Sequence, residues 1–166
     1  CVENIDSLLE SWKGPYGASH DFIFEHRNVE VKTKKELIID VKISSEYQLD
    51  VDEGKGLELE VISVKVDLEQ GLSIFDLIDK IVLKINDTEG DVLLFYHALS
   101  QLGLSIKNSS DYNNYRFKVI TAVTFDTSIS GFPKLIKSSL HEGISKLSYR
   151  VNVNALSPFI IKKKEH

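Results

Sequence analysis

The order of elements in this 166-residue chain predicts a mixed α/β or α+β domain built around one sheet. Three observations lead there. Short apolar segments rich in β-branched and aromatic residues come first, two helix-period segments occupy the middle, and alternating segments return near the end. The length suffices to bury a real core, and the apolar fraction of 42% with 27% charged residues is that of an ordinary globular protein.

Taken in order, Val2 to Trp12 reads as a helix, with Ile5, Leu8, Leu9 and Trp12 on one face and Asn4 or Asp6 as its cap. Lys13-Gly14-Pro15-Tyr16-Gly17 ends it. Asp21 to Phe24 is a short aromatic strand, Glu25 to Asn28 a turn, and Asn28 to Thr33 a second strand. In that strand Val29 and Val31 share one face while Glu30 and Lys32 share the other. Leu37 to Ile43 is a third strand. Ser45 followed by Gln48 has the spacing of a capping box and predicts a short helix. Leu57 to Val66 alternates and then changes phase, which suggests a bulge or a change of burial. Ser73 to Ile85 and Glu89 to Leu102 are the two helices; the second turns Leu93, Leu94, Ala98 and Leu99 inward and has Gly103 as its C-terminal stop. Tyr115 to Phe125 and Ser148 to Leu156 are late strands, with a loop from Thr127 to Pro133. No internal repeat, low-complexity linker or domain boundary interrupts the pattern, so residues 1–166 are expected to form a single domain.

Several function classes are excluded or disfavoured. No apolar run approaches the length of a bilayer-crossing helix, and no membrane partner is expected. The one cysteine, Cys1, rules out an internal disulfide and a cysteine-based zinc site, and the chain reads as cytoplasmic. Neither a nucleophile elbow nor a phosphate-cradling Gly-rich loop is present. His97 and His141 lack metal-ligand spacing and are expected to be structural or exposed. The chain contains no Met and begins with Cys1, so it is read as a fragment or processed product that lacks N-terminal sequence. A lipoprotein begins with Cys as well, but the helical pattern after Cys1 is unlike a tether. Glu165-His166 is read as a tag remnant.

The net charge of −5 argues mildly against nucleic acid, yet charge is segregated. From Glu46 to Asp91 there are thirteen acids and four bases, whereas Lys134 to His166 holds seven bases and two acids. Arg27, Lys32, Lys34, Lys35 and Lys42 form another basic cluster. A phosphate backbone responds to such local basic surfaces. Lys162 to Lys164 is expected to be a solvated tail.

The chemistry-bearing stretch is Ser19 to Thr33. If its two segments form a hairpin, Asp21, Glu30 and Lys32 converge at one end of a sheet. Asp21 and Glu30 supply hard oxygen ligands for Mg²⁺ or Mn²⁺, with the Val31 carbonyl as a third. Lys32 then orients an attacking water or stabilises charge on a phosphorane. The competing expectation is that Glu30 and Lys32 merely line a wet strand face.

The surrounding residues resemble the PD-(D/E)xK nuclease superfamily, and more narrowly an uncharacterised bacterial family of PD-(D/E)xK motif proteins. The likeness runs in order through Trp12-Lys13-Gly14-Pro15, His20-Asp21-Phe22, Val29-Glu30-Val31-Lys32-Thr33, Ile43-Ser44-Ser45-Glu46-Tyr47-Gln48-Leu49, Gly71-Leu72-Ser73, Tyr115-Arg116-Phe117, Phe132-Pro133 and Leu156-Ser157-Pro158-Phe159. It implies a restriction-endonuclease-like fold, a central mixed sheet flanked by helices. It assigns Asp21 as the motif acid, Glu30 as the second acid and Lys32 as the motif lysine. It implies a metal-dependent DNA endonuclease in a restriction or phage-defence setting, with a homodimer or defence-complex subunits as partners. His20 stands where the motif has Pro, and Glu10 is the candidate for the acid that relatives carry on a preceding helix. Ser44 and Gln48 are candidates for contact with phosphate or water, His20 for assisting Asp21, and Lys34, Lys35 and Lys42 for DNA contact. Trp12 and Tyr16 are candidates for base stacking, with Trp12 more expected in the core. The alternative is a non-catalytic module of the same fold that binds nucleic acid or protein.

Overall fold

The structure is a computed structural model that describes residues 4–104 and 115–166. Cys1 and the predicted helix start at Val2 lie outside the described residues. The architecture is mixed α+β, as expected. Two compact units share the chain in alternation: residues 1–18 with 66–118, and residues 19–65 with 119–166.

The first unit is helical. Helix α1 (Ile5–Ser11) starts where the Asn4 side chain accepts from the Ser7 N–H at 2.8 Å, satisfying one of the donors a helix start leaves open. Helix α2 (Ile74–Asp87) opens with a reciprocal capping box between Ser73 and Asp76, and Arg116 braces it through Asp76 at 2.8 Å. Helix α3 (Val92–Gln101) is capped by Asp91, whose own N–H donates to Asp6 at 2.8 Å. Ile78, Ile85, Phe95 and Leu99 are buried together, with Ile5, Leu9 and Trp12 against them. Trp12 stacks on Phe95 at 6.2 Å between centroids, so it anchors the core and is not presented as a base-stacking platform. Leu93, expected inside, is 69% exposed; the helix begins three residues later than the pattern suggested, at Val92, and Phe95 takes the inward position. Gly71 makes the tightest backbone approach: a Cβ there would lie 2.3 Å from the Asp67 carbonyl oxygen, so no side chain fits.

The second unit carries the strands β1 (Phe22–Ile23), β2 (Arg27–Lys35), β3 (Asp40–Ile43), β4 (Gly56–Val66), β5 (Phe117–Asp126), β6 (Tyr149–Asn152) and β7 (Ile160–Glu165); the ends of β4 and β5 run into the helical unit's segments. The main sheet has the order β1-β2-β4-β5-β7, and β3 pairs with β6 in a second sheet. β1 is antiparallel to β2, β2 is parallel to β4, and β5 is antiparallel to β7, so the main sheet is mixed.

The structure corrects several expectations. The third strand is shorter than predicted and belongs to the second sheet. Residues 45–49 form turns and no helix, because the Gln48 side chain reaches the Ser44 N–H at 2.7 Å instead of closing a box on Ser45. β4 has no bulge against β2, since their register is unbroken from Arg27↔Gly56 to Lys35↔Val64; Ser63 keeps the inner phase while Ile62 and Val64 are half-buried on the other side. After Asn152 the chain turns into a 3₁₀ segment, Val153–Phe159, containing Pro158. Lys162 to Lys164 are exposed, as expected of a solvated run, but they lie in strand β7, and Glu165 pairs with Thr121.

The core of this unit gathers Val41, Ile43, Leu49, Leu57, Leu59, Val61, Phe125, Phe132, Val151, Leu156 and Phe159. Its centre is the inner face of β4, where Leu57, Leu59 and Val61 alternate with half-buried Glu58 and Glu60. Burying such side chains contributes roughly 1.5–3 kcal/mol each.

Candidate active site

Paired residues in neighbouring strands present their side chains to the same face of a sheet. The register sets Asn28 opposite Leu57, Glu30 opposite Leu59 and Lys32 opposite Val61. Asn28, Glu30 and Lys32 therefore stand on the core-bearing face of β2. Glu30 is only 2% exposed, and the expectation of a wet face is overturned. Isolated charge in such a place costs several kcal/mol, so the partners matter.

Lys32 Nζ meets Glu30 Oε1 at 2.7 Å and donates to Gln48 Oε1 at 3.0 Å. The same Gln48 oxygen accepts the Ser44 N–H, so Gln48 is pinned by backbone before it meets the ammonium. Asp21, directly before β1, accepts the Val31 N–H through Oδ2 at 2.8 Å. A strand residue turns its N–H and C=O to the same edge, so the Val31 carbonyl lies along the edge that Asp21 occupies. Burial pushes the Glu30 carboxyl up to about 7; hydrogen bonding and charge from Lys32 oppose this, the Asp21 carboxylate adds to it, and the Asp21 backbone N–H works against it. The structure thus brings Asp21, Glu30, Lys32 and Gln48 into one linked cluster. Among the described residues no group of three His, Cys, Asp or Glu side chains is arranged to hold a metal ion; the cluster contains two carboxylates.

The family described as "Putative PD-(D/E)XK family member, (DUF4420)" matches residues 2–154. The chain belongs to this family. No curated protein and no solved structure matches it. The mixed α+β architecture is consistent with the restriction-endonuclease-like fold expected of a PD-(D/E)XK family member, and Asp21, Glu30 and Lys32 lie inside the matched span.

The other candidates have varied surroundings. His20 is 2% exposed, a buried ring in the bend that leads into β1. Its Nε2 lies 3.1 Å from the Asp50 carbonyl oxygen, and burial lowers its pKa despite nearby Asp52, Asp50 and Asp21. Ser44 contributes its backbone N–H through Gln48. Lys34 bonds the Glu36 carbonyl at 3.3 Å, while Lys35 and Lys42 are exposed. Glu10 is exposed on α1. His97 meets the Tyr16 hydroxyl at 3.0 Å and His141 caps the Gly143 N–H; both roles are structural. No helix among the described residues is long and apolar enough to cross a membrane.

Sequence reasoning misses two participants, Asn28 and Asp52. Asn28 is fully buried, and its side-chain nitrogen donates to Asp52 at 2.7 Å. Asn28 falls in phase with Glu30 and Lys32 at period two, and that is the one signal that points to it. Nothing local points to Asp52.

Proposed function

We propose that this protein is a metal-dependent DNA endonuclease of the PD-(D/E)XK type, acting in the cytoplasm as a restriction or defence component. The observation that carries the reading is the charged pair on the core face of β2: Glu30 and Lys32, 2.7 Å apart, beside Asp21 fixed to the Val31 N–H. The paired positions on β4 hold the apolar side chains of Leu57, Leu59 and Val61 instead.

The donor set suits a hard cation. Asp21 and Glu30 offer carboxylate oxygens and Val31 a carbonyl, and Mg²⁺ typically takes one or two carboxylates with the rest of its shell from water and substrate phosphate. Burial raises the Glu30 pKa, and a cation bound beside it would favour the charged carboxylate. The ion, when bound, would polarise the phosphoryl group and acidify an attacking water. Lys32 lies in a low-dielectric setting, where its ammonium stabilises developing negative charge more strongly than it would in water. Gln48 keeps that ammonium aimed, because its own oxygen is tied to the Ser44 backbone. Lys34, Lys35 and Lys42 provide positive charge for a phosphate backbone.

A second reading has one observation in its favour. Lys32 already neutralises Glu30 in this arrangement, as it would in a non-catalytic module of the same fold. The two readings separate by experiment. Incubating the full-length protein with supercoiled DNA and Mg²⁺ or Mn²⁺ should give cutting, and Lys32→Ala should reduce its rate by about 100- to 1,000-fold, the usual effect of removing a charge-stabilising donor. Unchanged cutting by Lys32→Ala removes Lys32 from the mechanism. Absence of cutting, together with no Mn²⁺ binding that depends on Asp21 and Glu30, favours the non-catalytic module.

A further inference from the structure

A buried polar group stands behind the charged cluster. His20 and Asn28 are 2% and 0% exposed, which is unusual for side chains that take no part in an apolar core. The His20 Nε2 contact is to the Asp50 carbonyl at 3.1 Å. A carbonyl only accepts, so Nε2 carries the hydrogen and Nδ1 is the acceptor. Nδ1 then receives Ser19 Oγ at 3.2 Å and Asn28 Nδ2 at 3.3 Å. Asn28 Nδ2 also donates to Asp52 Oδ2 at 2.7 Å, which fixes its amide the right way round: turning it over would set an oxygen against a carboxylate. Among the described residues Asn28 Oδ1 is left buried with no partner, an arrangement that costs about 1–3 kcal/mol.

These contacts join three segments. His20 immediately precedes Asp21. Asn28 lies on the same face of β2 as Glu30 and Lys32. Asp50 and Asp52 close the segment that bears Gln48, and the Asp50 N–H bonds the Tyr47 carbonyl at 3.1 Å. Each segment delivers a different member of the cluster.

We propose that His20, Asn28 and Asp52 are positioning residues, a buried brace that holds Asp21 against the Val31 edge of β2 and holds the Gln48 turn toward Lys32. The brace deepens the nuclease reading of the same site and rests on it for functional consequence alone; its geometry is testable without metal or DNA. Outer partners of this kind commonly change affinity or activity 10- to 100-fold when removed.

The direct readout is the Val31 amide, whose acceptor is the Asp21 side chain. Its hydrogen-exchange rate, taken relative to that of Lys32 in the same strand and measured by NMR on the metal-free full chain, reports where Asp21 sits. Asp21→Ala should raise this ratio about tenfold or more, and His20→Ala should do the same. His20→Gln supplies an amide N–H donor and a carbonyl acceptor in place of the two ring nitrogens, and should return the ratio to within about threefold of the parent. Asp52 is exposed, so Asp52→Ala tests the brace at a smaller cost to folding than a change at buried His20; it should raise the ratio about threefold by freeing Asn28. Phe132→Leu, in the apolar core of the same unit, serves as a destabilised control that should leave the ratio unchanged. The brace is overturned if Asp52→Ala and any folded His20→Ala protein keep the parent ratio, or if Phe132→Leu shifts it as much as they do. Because no catalysis is read, a protein that fails to cut DNA while these shifts appear would sink the nuclease reading and leave the brace standing.

Discussion

Strands β2 and β4 lie side by side in parallel register, yet they use the same sheet face for opposite purposes. β4 sets Leu57, Leu59 and Val61 into the core; β2 sets Asn28, Glu30 and Lys32 at the paired positions. One strand contributes burial energy, and its neighbour spends some of it on a charged pair with satisfied hydrogen bonds. The contrast teaches that the apolar floor of this unit and its candidate site are one continuous surface. The low dielectric that strengthens the Glu30–Lys32 contact comes from the side chains one strand away.

The largest expected effect comes from breaking the apolar half. Leu59 is fully buried, and Leu59→Ala should lower unfolding stability in denaturant titrations by about 2–5 kcal/mol. If the face is continuous, that cavity should also loosen Glu30.

A somewhat smaller effect is expected from pH. The folded Glu30 binds its proton more tightly than an unfolded carboxyl, with a value of about 7 against 4.5. Below about 4.5 both states are protonated and nothing is lost. Between 4.5 and 7 the unfolded state releases the proton first, so stability falls as pH rises, by up to about 3 kcal/mol, and is level above that. His20, with its lowered pKa, works the other way and loses stability as pH drops through its ordinary value of 6.5. The difference between the parent and Glu30→Gln in chemical denaturation isolates the Glu30 part, and a flat difference from pH 4.5 to 7 would contradict burial as the cause of the raised Glu30 pKa.

The smallest effect sharpens the comparison by rewriting β2 as β4. The double variant Glu30→Leu with Lys32→Val replaces both members of a buried pair. Such replacements are often neutral or stabilising by about 1–4 kcal/mol. Thermal denaturation should show a protein at least as stable as the parent, and any DNA cutting should be abolished. A strongly destabilised double variant would mean that the pair is structural.

Much of this is legible in the sequence. α2 is set by Ser73, Asp76 and the Ile74-to-Ile85 spacing, all local signals, and it lies where expected. Asp21, Glu30 and Lys32 are also readable, because strand period two and a short turn are local too. What is not readable depends on partners far along the chain. In isolation the valines of β2 look like its inward side; only pairing with β4 shows that Glu30 shares a face with Leu59. Gln48 looks like a helix cap to Ser45, since nothing local reveals that Lys32 is within its reach. β7 reads as a tail because its lysines outweigh Ile160 and Ile161, and its strand character depends on β5 being there to receive it.

The lysines of β7 have a use that concerns the molecule's neighbours. An unpaired strand margin invites a second copy to add on, the first step toward fibrous association, and ammonium groups at that margin are among the commonest deterrents. Lys162, Lys163 and Lys164 are all exposed there, so crowding of many copies meets electrostatic repulsion along this border of the sheet rather than an open template.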